Sequence, residues 1–243
     1  MMPQPFSKLT VLLGSAMLMS SVAAHAAPVT FFGSDANPSQ NTPTAHPNSD
    51  ATRAQFLANL QNPGTESLDG FDPGTTAVNA NFNNGVTASL TGGVIQNFSS
   101  AGRFAISSPN YYNTATSQFS INFSSAISAF GFYGTDIGDV GGTLSLTLTD
   151  ALGNQTSLNV GGLPDNGSVL YFGFYDTGNT YTSISFNNTN SGDNFGFDDF
   201  TVGTATQVVP TVPLPASLPM FGAAILVLGA ASYGMRRGKA AAR

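Results

Sequence analysis

Two kinds of side chain in this sequence could do chemistry: carboxylates in close-spaced groups, and tyrosines set in strand-like runs. Glu66, Asp69 and Asp72 form one acidic group, Asp136 and Asp139 in Gly-Thr-Asp-Ile-Gly-Asp a second, and Asp198 and Asp199 a third. Carboxylates joined by backbone carbonyls can supply the roughly six to eight oxygens that calcium takes. If the first and last strands of a sheet are neighbours, Glu66 or Asp69 meets Asp199 and makes one candidate calcium set. Asp136 and Asp139 make the other. Turn geometry accounts for the same aspartates with no metal at all, because Asp bonds its own backbone in turns. No EF-hand spacing and no nonapeptide calcium repeat is present.

Catalysis has a poor basis. His46 is the only histidine beyond the first 26 residues, and it sits in a loose Pro/Asn stretch, so a Ser-His-Asp triad has no ordered base. There is no cysteine, hence no thiol nucleophile, thiolate metal site or disulfide, and histidine is too scarce for zinc. A pair of carboxylates can hydrolyse a glycoside, but Glu66 is the sole glutamate and an Asp would have to partner it. The Gly-Gly pairs at 92–93, 141–142 and 161–162 lack the Lys and the strand-to-helix context of a phosphate loop. The chain therefore reads as a non-enzyme. Tyr111, Tyr112, Tyr133, Tyr171, Tyr175 and Tyr181 could stack on sugars if exposed, although tyrosines in such strands usually lie at the edge of a core.

The elements that must position these groups are mostly strands. Val86, Ala88 and Leu90 alternate with polar residues, as do Phe104 and Ile106, Phe119 to Phe123, Phe130 and Phe132, Leu144 to Leu148, Leu170 to Phe174, Ile184 and Phe186, and Phe195 and Phe197. This period-two pattern, broken by Asn, Asp and Gly turns, predicts half-buried antiparallel strands. The expected fold class is all-β: an antiparallel two-sheet sandwich of jelly-roll type, with one short N-terminal helix and a C-terminal transmembrane helix. The short helix is expected over Asp50–Leu60, capped by Ser49 or Asp50, with Ala54, Leu57 and Leu60 on one face and Asn62-Pro63-Gly64 as its stop. The implied organisation is a leader over 1–26, an arm and helix over 27–63, a sandwich over 64–204, a linker over 205–213 and a C-terminal signal over 212–243.

Charge separates the body from its ends. All thirteen acidic residues lie between Ala27 and Thr211, against only Arg53 and Arg103, leaving a body charge of about −11. Such a surface excludes nucleic acid as a partner. At the N-terminus, Lys8 precedes the apolar Leu9–Val22, and Ala24 and Ala26 form a small-x-small cleavage site, as in a secretory leader. At the C-terminus, Leu214 to Met235 carry no charge, and Arg236, Arg237 and Lys239 follow at once. A helix of that length would span a bilayer, and the basic stop would keep the body on the outer side.

The tail, with Val212, Pro213, Leu214, Pro215 and Ala216 ahead of the apolar run and the Arg pair, resembles the PEP-CTERM sorting signal of Gram-negative bacteria in its VPLPA variant. That resemblance implies an exosortase as processing partner. It also implies an intermediate held at the inner membrane, then delivery to the cell surface or extracellular matrix. The body is similar to exosortase-dependent surface proteins, often found alongside exopolysaccharide. The matching stretches are Phe31-Phe-Gly-Ser-Asp35, Arg53-Ala-Gln-Phe-Leu57, Thr65 to Phe71, Phe130 to Asp139 and Phe195 to Gly203. The expected function is a non-catalytic surface or biofilm-matrix β-sandwich, with calcium as its candidate cofactor. The alternative is a carbohydrate-binding or adhesive module that recognises exopolysaccharide.

Overall fold

The structure, a computed structural model, describes residues 27–114 and 118–209. The cleavage residues Ala24 and Ala26, the motif Val212–Ala216, the expected transmembrane helix and the basic stop Arg236, Arg237 and Lys239 lie outside the described residues. Among those described, no helix is long and apolar enough to cross a membrane.

The described residues fold into two antiparallel sheets with one helix. Its strands are β1 (Val29–Asp35), β2 (Gly64–Glu66), β3 (Val78–Asn81), β4 (Thr87–Thr91), β5 (Val94–Gln96), β6 (Tyr111–Thr114), β7 (Gln118–Ile127), β8 (Ala129–Thr135), β9 (Leu144–Thr149), β10 (Gln155–Val160), β11 (Val169–Tyr175), β12 (Tyr181–Asn188) and β13 (Phe195–Gly203). One sheet runs β1-β11-β8-β13-β6-β5, with β2 also on β13; the other runs β10-β9-β12-β7-β4-β3. From β6 onward the eight strands fill the two sheets as β6-β13-β8-β11 and β7-β12-β9-β10, which is the double Greek key of a jelly roll. The strand set also takes in residues before position 64, since β1 pairs along its whole length with β11.

Alternation drives the assembly. In β9, Leu144, Leu146 and Leu148 are buried while Ser145, Thr147 and Thr149 face outward. Between the sheets lies a phenylalanine core: Phe132 packs edge-on against Phe186 and Phe197, each at 5.4 Å between ring centres, and Phe119 stacks on Phe186. Each such ring contributes roughly 1.5–3 kcal/mol through burial. Phe104 and Ile106, spaced like a strand, lie instead in an irregular loop that packs on the outer side of the first sheet. The pattern of two did not signal a strand there because both side chains point down onto the same apolar patch.

That patch is what the helix covers. Strands β8 and β11 are buried on both faces, one in the core and one beneath α1 (Pro47–Leu57). The helix starts before Asp50, with Pro47 in its first turn, where a missing N–H is harmless. His46 at the N-cap makes no side-chain cap bond. The cap comes from Asp35 at the end of β1, whose carboxylate accepts the N–H groups of Asn48 at 3.1 Å and Ser49 at 2.8 Å and the Ser49 hydroxyl at 2.8 Å. The buried residues of the helix are Ser49, Thr52 and Phe56; of the expected face Ala54 is exposed, Leu57 packs half-buried against the same patch, and Leu60 is buried there but lies beyond the helix end. Ser49 turns inward to reach Asp35, and Phe56 sits over Gly131 and Gly173, where any side chain would collide with it.

Candidate functional site

Four loops meet at one end of the sandwich: 99–103, 136–143, 161–168 and 189–194. The second follows β8, where Asp136 (φ 66°), Gly138 (φ 100°) and Gly141 (φ 80°) take left-handed conformations that let the chain turn sharply. Asp136 Oδ1 accepts the Gly167 N–H at 3.0 Å and so ties the second loop to the third. A side chain at Gly102 would strike both Asp136 Oδ1 and Asn166 Oδ1, so the first loop can close over these oxygens only as glycine. Between these loops lies an open cavity of about 140 Å³, bordered by Arg103, Asp136, Asp139, Asn166, Asp193 and Asn194.

One carboxylate oxygen of this cavity is left unpaired. Asp193 is only 2% exposed, and among the described residues its Oδ2 has no hydrogen-bond partner; nor does the buried Oδ1 of the half-buried Asn166. Burial pushes the Asp136 carboxyl up to about 7, with the neighbouring Asp139 adding to the rise against the Gly167 N–H and Arg103. Asp193 is also pushed up, first by burial, then by a side-chain hydrogen bond with Asp139 and the charges of Asp139 and Asp136, against the Gly138 N–H. Asp136 and Asp139 were legible as a pair; Asp193 was not, because Asn-Ser-Gly-Asp-Asn looks like any exposed turn. Only its burial by distant loops sets it apart.

The first strand, β1, pairs with β11 and not with the last strand; it is β2 that lies on β13, with Glu66 opposite Phe200. Burial raises the Asp199 carboxyl and Asp69 lies near enough for its charge to raise it further, but among the described residues Glu66, Asp69 and Asp199 do not gather as a three-residue metal-ligand set. Glu66 accepts the N–H groups of Leu68 at 2.9 Å and Asn81 at 3.0 Å, and Asp69 accepts that of Asn110 at 3.0 Å. Asp199 adopts φ 48° beside an irregularity in the β13–β8 pairing. Asp198 is buried and accepts the N–H groups of Ile106 and Ser107 at 2.7 and 2.8 Å. Most of these carboxylates thus hold turns and loops, as Asp does without metal. Among the described residues no three His, Cys, Asp or Glu side chains gather as a metal-ligand set.

The candidate tyrosines are likewise occupied. Tyr111, Tyr112, Tyr133, Tyr171, Tyr175 and Tyr181 are all buried. Three hydroxyls donate within the fold: Tyr111 to Gln96 Oε1 at 2.8 Å, Tyr133 to Asp50 Oδ1 at 2.6 Å and Tyr181 to Asp176 Oδ2 at 2.6 Å. None of the six presents a ring for stacking.

A different surface is open. The outer face of the six-stranded sheet carries residues in register from strand to strand. One row runs Gln155, Thr149, Ser183, Asn122, Ser89, Asn79 across all six strands. The next runs Ser157, Thr147, Ser185, Ser120, Thr91 across five. Every side chain in these rows is a hydroxyl or an amide, with no charge and no aromatic ring. Neighbours bridge one another, as Thr91 and Ser120 do at 3.0 Å and Asn187 and Thr147 at 3.1 Å. A depression of about 320 Å³ opens beside Thr91, Ser120, Ser185 and Asn187. The signal for this face lay in the polar half of Leu-Ser-Leu-Thr-Leu-Thr and Ser-Ile-Ser-Phe-Asn. That half is easily passed over as merely solvent-facing.

No family model matches the chain, and no curated protein matches it. Among solved structures it is similar to the CBM22-1 xylan-binding domain of Paenibacillus barcinonensis Xyn10C, at 12% identity over 61% of this chain and 94% of that one, with a TM-score of 0.35. It is also similar to TmCBM61 in complex with β-1,4-galactotriose, at 15% identity over 50% and 89% of the two chains and a TM-score of 0.28. A third match is the bacteriophage CBA120 tailspike protein 4, at 16% identity over 49% of this chain and 19% of that one, with a TM-score of 0.31. At these scores the likeness carries no functional weight.

Proposed function

We propose that the chain is an exported, exosortase-processed surface protein whose sandwich binds a neutral, polyhydroxylated polysaccharide on the outer face of its six-stranded sheet. One observation carries the binding: two in-register rows of hydroxyl and amide side chains without a single charge, on a body of about −11. Such groups donate and accept alike, as sugar hydroxyls do. The surrounding negative charge disfavours polyanions, while an uncharged face places no desolvated ion against a neutral glycan. Six strands at ~4.8 Å spacing give a platform roughly 25 Å wide, enough for several sugar units. Export and processing are supported by the leader, by the motif Val212–Ala216 with its apolar run, and by Arg236, Arg237 and Lys239.

Affinity electrophoresis tests the binding. The protein is run through gels containing neutral glucans, xylans or galactans, and through gels containing an anionic alginate. Retardation by a neutral polysaccharide but not by alginate is expected, and its loss in a Thr147→Arg/Ser185→Arg double variant with unchanged melting temperature. A wild type that no neutral polysaccharide retards would overturn the binding and leave a purely structural place in the matrix.

A further inference from the structure

The end cavity stands apart from that face and has a chemistry of its own. Its ligands are all oxygens: the carboxylates of Asp139 and Asp193, the amide oxygen of Asn166 and the carboxylate of Asp136, whose Oδ1 already accepts the Gly167 N–H. Neither His nor Cys borders it, which suits a hard cation rather than zinc or copper. Two of these oxygens, Asp193 Oδ2 and Asn166 Oδ1, are buried with no hydrogen-bond donor to meet them. A buried acceptor without a partner costs about 1–3 kcal/mol, so such atoms mark a place where something is bound. Three carboxylates against the single guanidinium of Arg103 leave a net charge of −2 when all are ionised, the complement of one divalent ion. Arg103 donates its Nε to the Ser100 carbonyl at 3.1 Å; its charge acts on Asp136, but among the described residues it forms no ion pair with these aspartates.

We propose that this cavity is a calcium site in which Asp193 and Asp139 bind the ion directly, Asn166 adds its amide oxygen and Asp136 meets it through water. The volume of about 140 Å³ holds an ion with part of its water shell, at ~30 Å³ per water. The protein ligands are few and do not close into a full set, so the ion stays partly hydrated and affinity falls in the range of roughly 0.1–1 mM typical of extracellular calcium modules. The irregular loops favour calcium over magnesium, which demands a near-ideal octahedron. Bound there, the ion joins the loop before β13 to those after β8 and β10.

Melting of the full chain in non-ionic detergent, with ~10 mM calcium or with chelator, tests the site. The wild type should gain about 3–8 °C in calcium and less in magnesium. Asp193→Asn and Asp139→Asn should each lose most of that increment, whereas Asp72→Asn, at an exposed position in another loop, should keep it. Because the readout is the difference between calcium and chelator for each variant, a variant that is itself more or less stable remains informative. If one of the two does not fold, the other decides. No increment in the wild type, or a full increment in both Asp193→Asn and Asp139→Asn, overturns the site.

Discussion

Gly131 of β8 lies directly opposite Gly173 of β11, and the ring of Phe56 from the helix rests on both. A Cβ at either position would come within 2.9 Å of that ring. The glycine pair is therefore the socket through which the N-terminal segment grips the outer face of the sheet. Gly173→Ala should destabilise the fold by about 1–3 kcal/mol through overpacking, and Phe56→Ala by about 3–5 kcal/mol through the cavity it leaves. Urea midpoints measure both. Because the residues touch, the double variant should cost less than the sum of the singles.

Asp35 makes stability depend on acid. Burial alone would raise its carboxyl, but hydrogen bonds from Ser49 and Asn48 outweigh burial and hold it below the ordinary aspartate value of 3.8. A group depressed in the folded state stabilises above its unfolded pKa, and that stability is lost as pH falls through the lower, folded value. Asp35→Asn should thus be less stable than wild type by about 1–2 kcal/mol at pH 7, and the gap should close below pH ~3.8. Denaturant unfolding of both proteins between pH 7 and 3 gives the comparison. A gap that persists undiminished in acid would contradict the charged cap.

Tyr181 buries its hydroxyl on Asp176, whose carboxylate also receives the N–H groups of Gly178 and Asn179. Tyr181→Phe keeps the ring and removes one donor. A loss of about 1.5–3 kcal/mol is expected, as for hydrogen bonds to carboxylates, again from urea unfolding.

For the tail, intact-mass analysis of protein released from cells with an active exosortase should show loss of the residues following the region Val212–Ala216. A full-length tail on the released protein would contradict the sorting proposal.

Much of this fold was legible in the sequence because alternation is local. Leu144 to Thr149 declares its inward and outward faces within six residues, and Glu66 was rightly placed beside the last strand. What could not be read depends on partners far along the chain. The helix register is set by Asp35, 14 residues before Ser49, and by the glycines beneath Phe56. Asp193 becomes a cavity wall only because segments from 99 to 168 close over it. The polar rows on the open sheet could be counted strand by strand, but their register exists only once the strands are paired.

The course of β13 gives the molecule a direction. The strand starts beside Asp193 and ends at Gly203, nine residues or roughly 30 Å away. Beyond it Val208 bridges to Leu60 and the Val209 N–H bonds the Asn59 carbonyl at 2.8 Å, three residues before the motif begins. The described chain ends at the pole opposite the acidic cavity. Under the sorting proposal, the aspartate loops lie at the end of the sandwich away from the processed terminus, with the hydroxyl face along the flank.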